Sequence, residues 1–384
     1  MARRTLMMGV FLLLCACGDT SVIEVDGGAS ADTSFTDAAD DSPEAIDSSV
    51  VDGRDAALTD AEFADAEITD VRVDEGTASL DAGPDMADSG GEADAGPSSV
   101  TRSYTAWVWN IAGHLLHSGS TTDGLIEAAV SSIVSRDVDF VGFNELCGSQ
   151  YRALQDGLRA AGWPRTENFS RFAEGRAAGT GVCGGTNFGN AIFSREPLGS
   201  ASRISLPEEE GRSETRTLLC APLTELPHMR WCTTHVTTSS EVGADGFAAN
   251  VRQLRFIQQQ LLDWHGAGDT VLIGGDFNAQ PHYGRLNRFY APSVDTAVNG
   301  DNRGVHRELD DLDARCLGHG ERTVADPNGG PCDTGVKIDL IFAREDEIVG
   351  SYDSDSLAIS DACGGACSDH RIVIGEVTLR IREP

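Results

Sequence analysis

Six short polar clusters stand where apolar runs end, and their side chains are those that hold hard cations and move protons. Asn110 closes Trp109-Asn110-Ile111, and Glu145 follows Asn144 in Phe143-Asn144-Glu145-Leu146. Asp276 and Asn278 share Gly275-Asp276-Phe277-Asn278, and Asp339 lies in Lys337-Ile338-Asp339-Leu340. Asp369 and His370 are adjacent in Ser368-Asp369-His370-Arg371, and His235 ends Trp231-Cys232-Thr233-Thr234-His235. Singly, each has an ordinary explanation: an Asn at a strand end turns the chain, and a lone Glu or His is solvated or bonded in place. Together they describe an oxygen-rich site for a hard divalent cation, Mg²⁺ first and Mn²⁺ or Ca²⁺ after it. Two separate histidines could then supply acid and base around a metal-polarised phosphate, and the sequence assigns neither role.

Such a site needs elements to converge on it. Apolar and β-branched runs at 104–111, 140–144, 190–194, 270–274, 337–343 and 371–379 predict strands, and 216–222 with 229–236 predict a hairpin. Helices are predicted at 123–136, 149–161 and 244–265. Their buried stripes are Ile126, Val130, Ile133 and Val134; Tyr151, Leu154 and Leu158; and Phe247, Val251, Leu254, Ile257, Leu261 and Trp264. Strands and helices interleave, so the class is α/β in the broad sense (α+β), and the hairpin argues against a purely parallel sheet.

Charge divides the 384 residues into two regimes. The chain carries 61 acidic and 29 basic residues, net −32. Residues 18–100 hold 23 acidic residues but only Arg54 and Arg72 as cations, and two aromatics. That tract cannot bury enough apolar surface to offset chain entropy, so we read it as an acidic, extended tether. Residues 101–384 hold 38 acidic and 25 basic residues with every Trp and Tyr, enough for one substantial core. A polytopic membrane protein, a basic DNA-coating protein and a disulfide-dense miniprotein are thereby excluded.

Arg3 and Arg4 precede an apolar run from Leu6 to Leu14, the layout of a secretory signal too short to span a bilayer. Leu14-Cys15-Ala16-Cys17 resembles a lipobox, which places a signal peptide at 1–16, a lipidated Cys17 at the head of a tether over 17–100, and the domain at 101–384. An ordinary cleaved signal is the rival reading. The eight remaining cysteines form an even set in an exported domain and contain no paired CxxC knuckles, which favours disulfides over zinc. Spacing alone does not fix their connectivity. The hairpin would bring Cys220 opposite Cys232; Cys316–Cys332 and Cys363–Cys367 would close short loops, leaving Cys147–Cys183.

The order and wording of the polar clusters resemble the endonuclease/exonuclease/phosphatase superfamily, the deoxyribonuclease I-like group, over about 104–379. The matching motifs are Trp-Asn-Ile at Asn110, Asn-Glu at Glu145, Gly189-Asn190-Ala191-Ile192-Phe193-Ser194-Arg195, Thr234-His235, Gly275-Asp276-Phe277-Asn278-Ala279, Ile338-Asp339-Leu340-Ile341 and Ser368-Asp369-His370. The resemblance implies a four-layer sandwich of two packed, mostly antiparallel sheets with helices outside and the site at one rim. It implies that Asn110, Glu145 and Asp369 hold the divalent ion. His370, oriented by Asp339, would contact the phosphate or activate water, and Asp276 and Asn278 would position the water and a phosphate oxygen. His235 is the second acid/base candidate, and Arg216 matches an arginine that stabilises the charged transition state. One departure stands out: the segment expected to give His235 a carboxylate partner reads Asn187-Phe188-Gly189-Asn190, so Asn190 would take part of that role as a phosphate or histidine contact.

These expectations rank three functions. First comes a Mg²⁺-dependent phosphodiesterase at the cell surface, an endonuclease on DNA or RNA, monomeric and membrane-held through its lipid. The domain's net −13 opposes nucleic acid unless arginines gather locally, for which Arg171, Arg176, Arg195, Arg285 and Arg288 are candidates. Second, the same chemistry could serve a sphingomyelinase or an inositol-phosphate phosphatase, acting on phospholipid head groups or inositol phosphates. Third, of another class, is a surface binding module with a decayed site; the retention of every metal and histidine position weighs against it.

Overall fold

The computed structural model describes residues 98–207, 213–324 and 329–384; the expected signal, Cys17 and most of the tether lie outside the described residues. In chain order the elements are β1 (Ser99–Asn110), α1 (Leu125–Ser135), β2 (Phe140–Cys147), α2 (Gly148–Ala160), β3 (Ser170–Arg176), β4 (Phe188–Ser194), β5 (Ser202–Ser205), β6 (Thr217–Pro222) and β7 (Met229–His235). They continue with α3 (Ala249–Gly266), β8 (Thr270–Asp276), β9 (His306–Glu308), β10 (Asp339–Arg344), β11 (Asp353–Leu357) and β12 (Ile372–Arg382). One six-stranded sheet has the order β11-β12-β1-β2-β4-β3, the other β5-β6-β7-β8-β10-β9. Each holds a single parallel pair, β1 with β2 and β7 with β8; the other pairings are antiparallel. Parallel neighbours need a crossover, and α1 and α3 supply them.

Three apolar clusters fill three interfaces, so the architecture is the expected four-layer sandwich. Alternate residues of a strand face opposite ways. On β1, Ala106 and Val108 enter the core between the sheets, whereas Trp107 and Trp109 pack under α1 and α2. On β8, Leu272 faces the inter-sheet core while Val271 and Ile273 face α3. Gly142 and Gly274 bring the sheets close on either side of Val108: an added Cβ would lie 3.1 Å and 2.7 Å from its Cγ1.

The buried strands fall where the sequence places them, but four were not foreseen: β3, β5, β9 and β11. All four are sheet edges, short and polar, with one side facing solvent, so they lack the apolar run that marks a central strand. β1 begins at Ser99 because it pairs with the last strand, Ser99 opposite Arg382. Two expectations need correction. Helix α3 starts at Ala249 rather than 244, so Phe247 precedes it; and Val134, assigned to the buried face of α1, is 39% exposed.

The four disulfides are Cys147–Cys183, Cys220–Cys232, Cys316–Cys332 and Cys363–Cys367, the expected set, with Cys220 opposite Cys232 on β6 and β7. Lys337, the chain's single lysine, is buried, its Nζ 2.8 Å from Glu308 Oε2 and 2.7 Å from Asp310 Oδ2. Removing the lysine would leave two buried carboxylates facing each other without a cation.

Two stability predictions follow from this interior. Reduction should lower the melting temperature, each lost bridge costing about 2–4 kcal/mol, and calorimetry with and without strong reductant checks it. His306 is wholly buried against His265, with Nε2 atoms 3.1 Å apart. Burial first, then the charges of His265 and Arg344, lower its pKa to about 3. The unfolded chain takes up this proton near pH 6.5, so its contribution is lost as pH falls from there toward 3. Relative to His306→Gln, the native protein should lose about 3 kcal/mol between pH 6.5 and 4, read by urea denaturation; a pH-independent difference would contradict this.

Candidate active site

Strand direction gathers the polar clusters at one rim. The parallel strands contribute their C-terminal ends: Asn110 ends β1, His235 ends β7, Asp276 ends β8, and Glu145 lies near the end of β2. Antiparallel neighbours contribute their beginnings: Asp339 opens β10 opposite Asp276, His370 immediately precedes Arg371 and β12, and Arg216 precedes β6. Glu145 sits at a register shift between β2 and β4 with φ 56°, a bulge that turns its side chain out of the strand's alternation. Asn278, after β8, also has a left-handed backbone, φ 46°. Its N–H donates to Asp276 Oδ1 at 2.9 Å and its amide to Val236 O at 2.8 Å.

Asn110 joins the sheets. Its Nδ2 donates to Glu145 Oε1 and to Asp276 Oδ2, both at 3.0 Å, while its Oδ1 accepts from the Ala112 N–H. In this orientation Asn110 presents a donor to the site, not the ligand oxygen that metal binding would require. A second amide braces Asp276 through its backbone. Asn144 Oδ1 accepts the Asp276 N–H at 2.9 Å, and its Nδ2 donates to Asn190 Oδ1 and Thr233 Oγ1. Asn190 in turn donates to Thr217, so its amide is committed inside the sandwich and does not reach His235.

His370 has the carboxylate partner expected of it, with Nδ1 2.8 Å from Asp339 Oδ2; Nε2 lies 3.9 Å from Asp276 Oδ2. Burial opposes its protonated form, but Asp339, Asp276 and Asp369 outweigh that and raise the pKa to about 10. Its loop is pinned: Ser368 Oγ donates to Asn110 O and accepts from the His370 N–H, while Trp109 Nε1 donates to His370 O. Burial, then the charge of Asp339, pushes Asp276 up to about 7. Burial also raises Glu145, against its hydrogen bond from Asn110. His235 points Nε2 at Asp276 Oδ2, 3.4 Å away, and at Glu145 Oε1, 4.0 Å away. Burial, with the charges of Arg216 and His370, holds it well below the usual imidazole range. Asp369 lies at the edge, partly exposed, with Oδ1 3.5 Å from Ser368 Oγ.

The donor set suits a hard divalent cation. Asp276 and Asp339 offer carboxylate oxygens within 4.8 Å of each other, the buried Asp339 Oδ1 has no hydrogen-bond partner, and His370 beside them, when protonated, gives no ligand atom. Glu145 adds a partly exposed carboxylate above them.

Of the arginines considered for a phosphate-binding patch, Arg171 is spent on the carbonyls of Ser170, Leu198 and Gly199, and Arg195 on Asp137. Arg176 and Arg216 flank Glu214 at 3.7 Å and 3.3 Å, and Arg285 donates to Asn278 O. Thr323 escaped sequence reasoning: its Oγ1 accepts the N–H groups of Ile338 and Asp339, and its carbonyl accepts that of Arg371, tying β10 to the His370 loop. Nothing in its surrounding sequence marks it. Asn144 carries a testable load. Asn144→Ala would leave the Asp276 N–H and Asn190 Oδ1 unsatisfied in the interior, costing about 2–4 kcal/mol in urea denaturation; a loss below about 0.5 kcal/mol would contradict the brace.

Comparison with known proteins bears on the fold and the family. The structure resembles an endonuclease/exonuclease/phosphatase from Bacteroides vulgatus, with TM-score 0.50 and 16% identity over 72% of this chain and 99% of that one. It is also similar to D. rerio TDP2 crystallised with a single-strand DNA product, with TM-score 0.47 and 18% identity over 72% of this chain and 98% of that one. A comparison with curated proteins gave no match. The sequence profile of the Endonuclease/Exonuclease/phosphatase family matches residues 108–370, from the middle of β1 to His370. The chain belongs to that family, whose members are hydrolases acting on phosphoester bonds.

Proposed function

We propose that the domain is a Mg²⁺-dependent phosphodiesterase that cuts nucleic acid outside the cytoplasm. The carrying observation is the cluster of five titratable groups at the rim: Asp276 between His235 and His370, with Asp339 behind His370 and Glu145 near His235. Glu145 and Asp369, with the oxygen-rich floor, would hold the cation, which when bound supplies Lewis-acid activation of a phosphoryl oxygen. Asp276, whose affinity for protons is raised by burial and by Asp339, is placed to take a proton from an attacking water, and Asn278 fixes its Oδ1 while Asn110 fixes its Oδ2. His370 stays an imidazolium at neutral pH and faces the developing phosphorane charge, so it serves as an electrostatic clamp rather than a base.

Nucleic acid is favoured over a bilayer lipid by the character of the exposed apolar groups. Among the described residues the exposed large apolar side chains are Leu115, Leu116, Val134, Val242, Phe256, Leu312 and Leu317, with no tryptophan among them. The disulfides suit an oxidising compartment, and a lipid on Cys17 would tether the protein to the cell envelope through the acidic segment.

The test is plasmid nicking by the purified chain with Mg²⁺, with EDTA and His370→Ala as controls. Cleavage should require the ion and fall about 10²–10³-fold in the variant. A folded protein that leaves DNA and RNA intact but hydrolyses sphingomyelin or an inositol phosphate would overturn the substrate assignment.

A further inference from the structure

His235 lacks the carboxylate that its motif calls for, and a cation stands in its place. Arg216 sends NH1 to within 2.5 Å of His235 Nδ1. A guanidinium has five N–H donors and no acceptor, so the imidazole nitrogen facing it must offer a lone pair. Glu214, largely buried and 3.3 Å from Arg216 NH1, holds the guanidinium in this position. Neither residue lies on the segment from which a carboxylate was expected, and Asn190 on that segment is engaged by Asn144 and Thr217. The neighbouring carboxylates Glu167 and Glu174 do not substitute: Glu167 pairs with Arg159, and Glu174 is exposed.

We propose that Arg216 fixes His235 as the neutral imidazole with its proton on Nε2, making His235 an uncharged hydrogen-bond donor to the reacting phosphate rather than a proton-transfer catalyst. The geometry on the other side agrees. Nε2, which then carries the proton, lies 3.4 Å from Asp276 Oδ2 and 4.0 Å from Glu145 Oε1, so its neighbours are acceptors rather than donors. A proton on Nδ1 would set N–H against N–H beside a permanent cation in a buried place, which the protein avoids. His370 is the reverse: Asp339 on Nδ1 demands a proton there and supports the charged ring. The two histidines flanking Asp276 are therefore unlike, one a cation and one a neutral donor, because their partners carry opposite signs. Arg216 is a positioning residue that acts through His235.

The division of roles rests on the phosphodiesterase reading, whereas the tautomer does not, and the experiment separates them. Nitrogen chemical shifts of ¹⁵N-histidine-labelled protein, assigned with His235→Gln, should show His235 protonated on Nε2 and bare on Nδ1. Arg216→Gln, which can accept as well as donate, should release the ring into a mixture of tautomers. An Nδ1–H or doubly protonated His235 in the native protein overturns the proposal. In turnover, His235→Ala should lower kcat about 10²-fold, and His235→Gln, which restores an N–H near the Nε2 position, should recover at least about tenfold of that. A Gln variant no better than Ala overturns the donor role. Should the native protein cleave no phosphoester, the functional reading fails while the ring spectrum still decides the tautomer.

Discussion

Burying several like charges at one place is the constraint on which this structure depends. Glu145, Asp276 and Asp339 would repel one another if each were fully ionised without compensation, and a buried carboxylate without partners is costly. The protein meets this with an amide and a cation. Asn110 divides one NH₂ between Glu145 and Asp276, and His370 carries its positive charge between Asp339 and Asp276. Even so, Asp276 retains a raised affinity for protons, and that residual is the chemically useful part.

The two-sheet architecture exists to deliver that arrangement. Each sheet has one parallel pair at its centre, and the ends of those four strands are where Asn110, Glu145, His235 and Asp276 stand. A single sheet would line such groups along an edge; two packed sheets make them face each other. Close approach near the rim requires Gly142 and Gly274 against Val108 and Gly275 at φ 152°, where an added Cβ would lie 2.2 Å from Thr234 O. The surrounding loops are held by disulfides: Cys147 lies two residues beyond Glu145, and Cys367 two before Asp369. Positioning by covalent bonds suits loops with few apolar contacts of their own.

How much of this was legible in the sequence depended on burial. Central strands advertise themselves as continuous apolar runs, and the polar residues that end them were conspicuous by contrast, so Asn110, Glu145, Asp276, Asp339 and His370 could be nominated together. The edge strands β3, β5, β9 and β11 carry no such contrast. Cys220 opposite Cys232 was readable because a hairpin fixes register, whereas α3's true start was hidden by Phe247, an apolar residue lying before the helix. Least legible were side-chain directions. Asn110 was identified, yet which end of its amide faces the site is set by the Ala112 N–H; Asn190 was identified, yet it is used inside the sandwich. Arg216 was nominated by its motif alone, with no sign of what would hold it. It contacts Glu214 and His235 at once, a juxtaposition created only when β6 lies beside β7.

The placement of Lys337 has a practical consequence. As the chain's single lysine it is enclosed by Glu308 and Asp310, so the folded domain shows no lysine amine to solvent. Reagents that couple to primary amines would therefore find no lysine on the folded domain and would leave its rim unmodified.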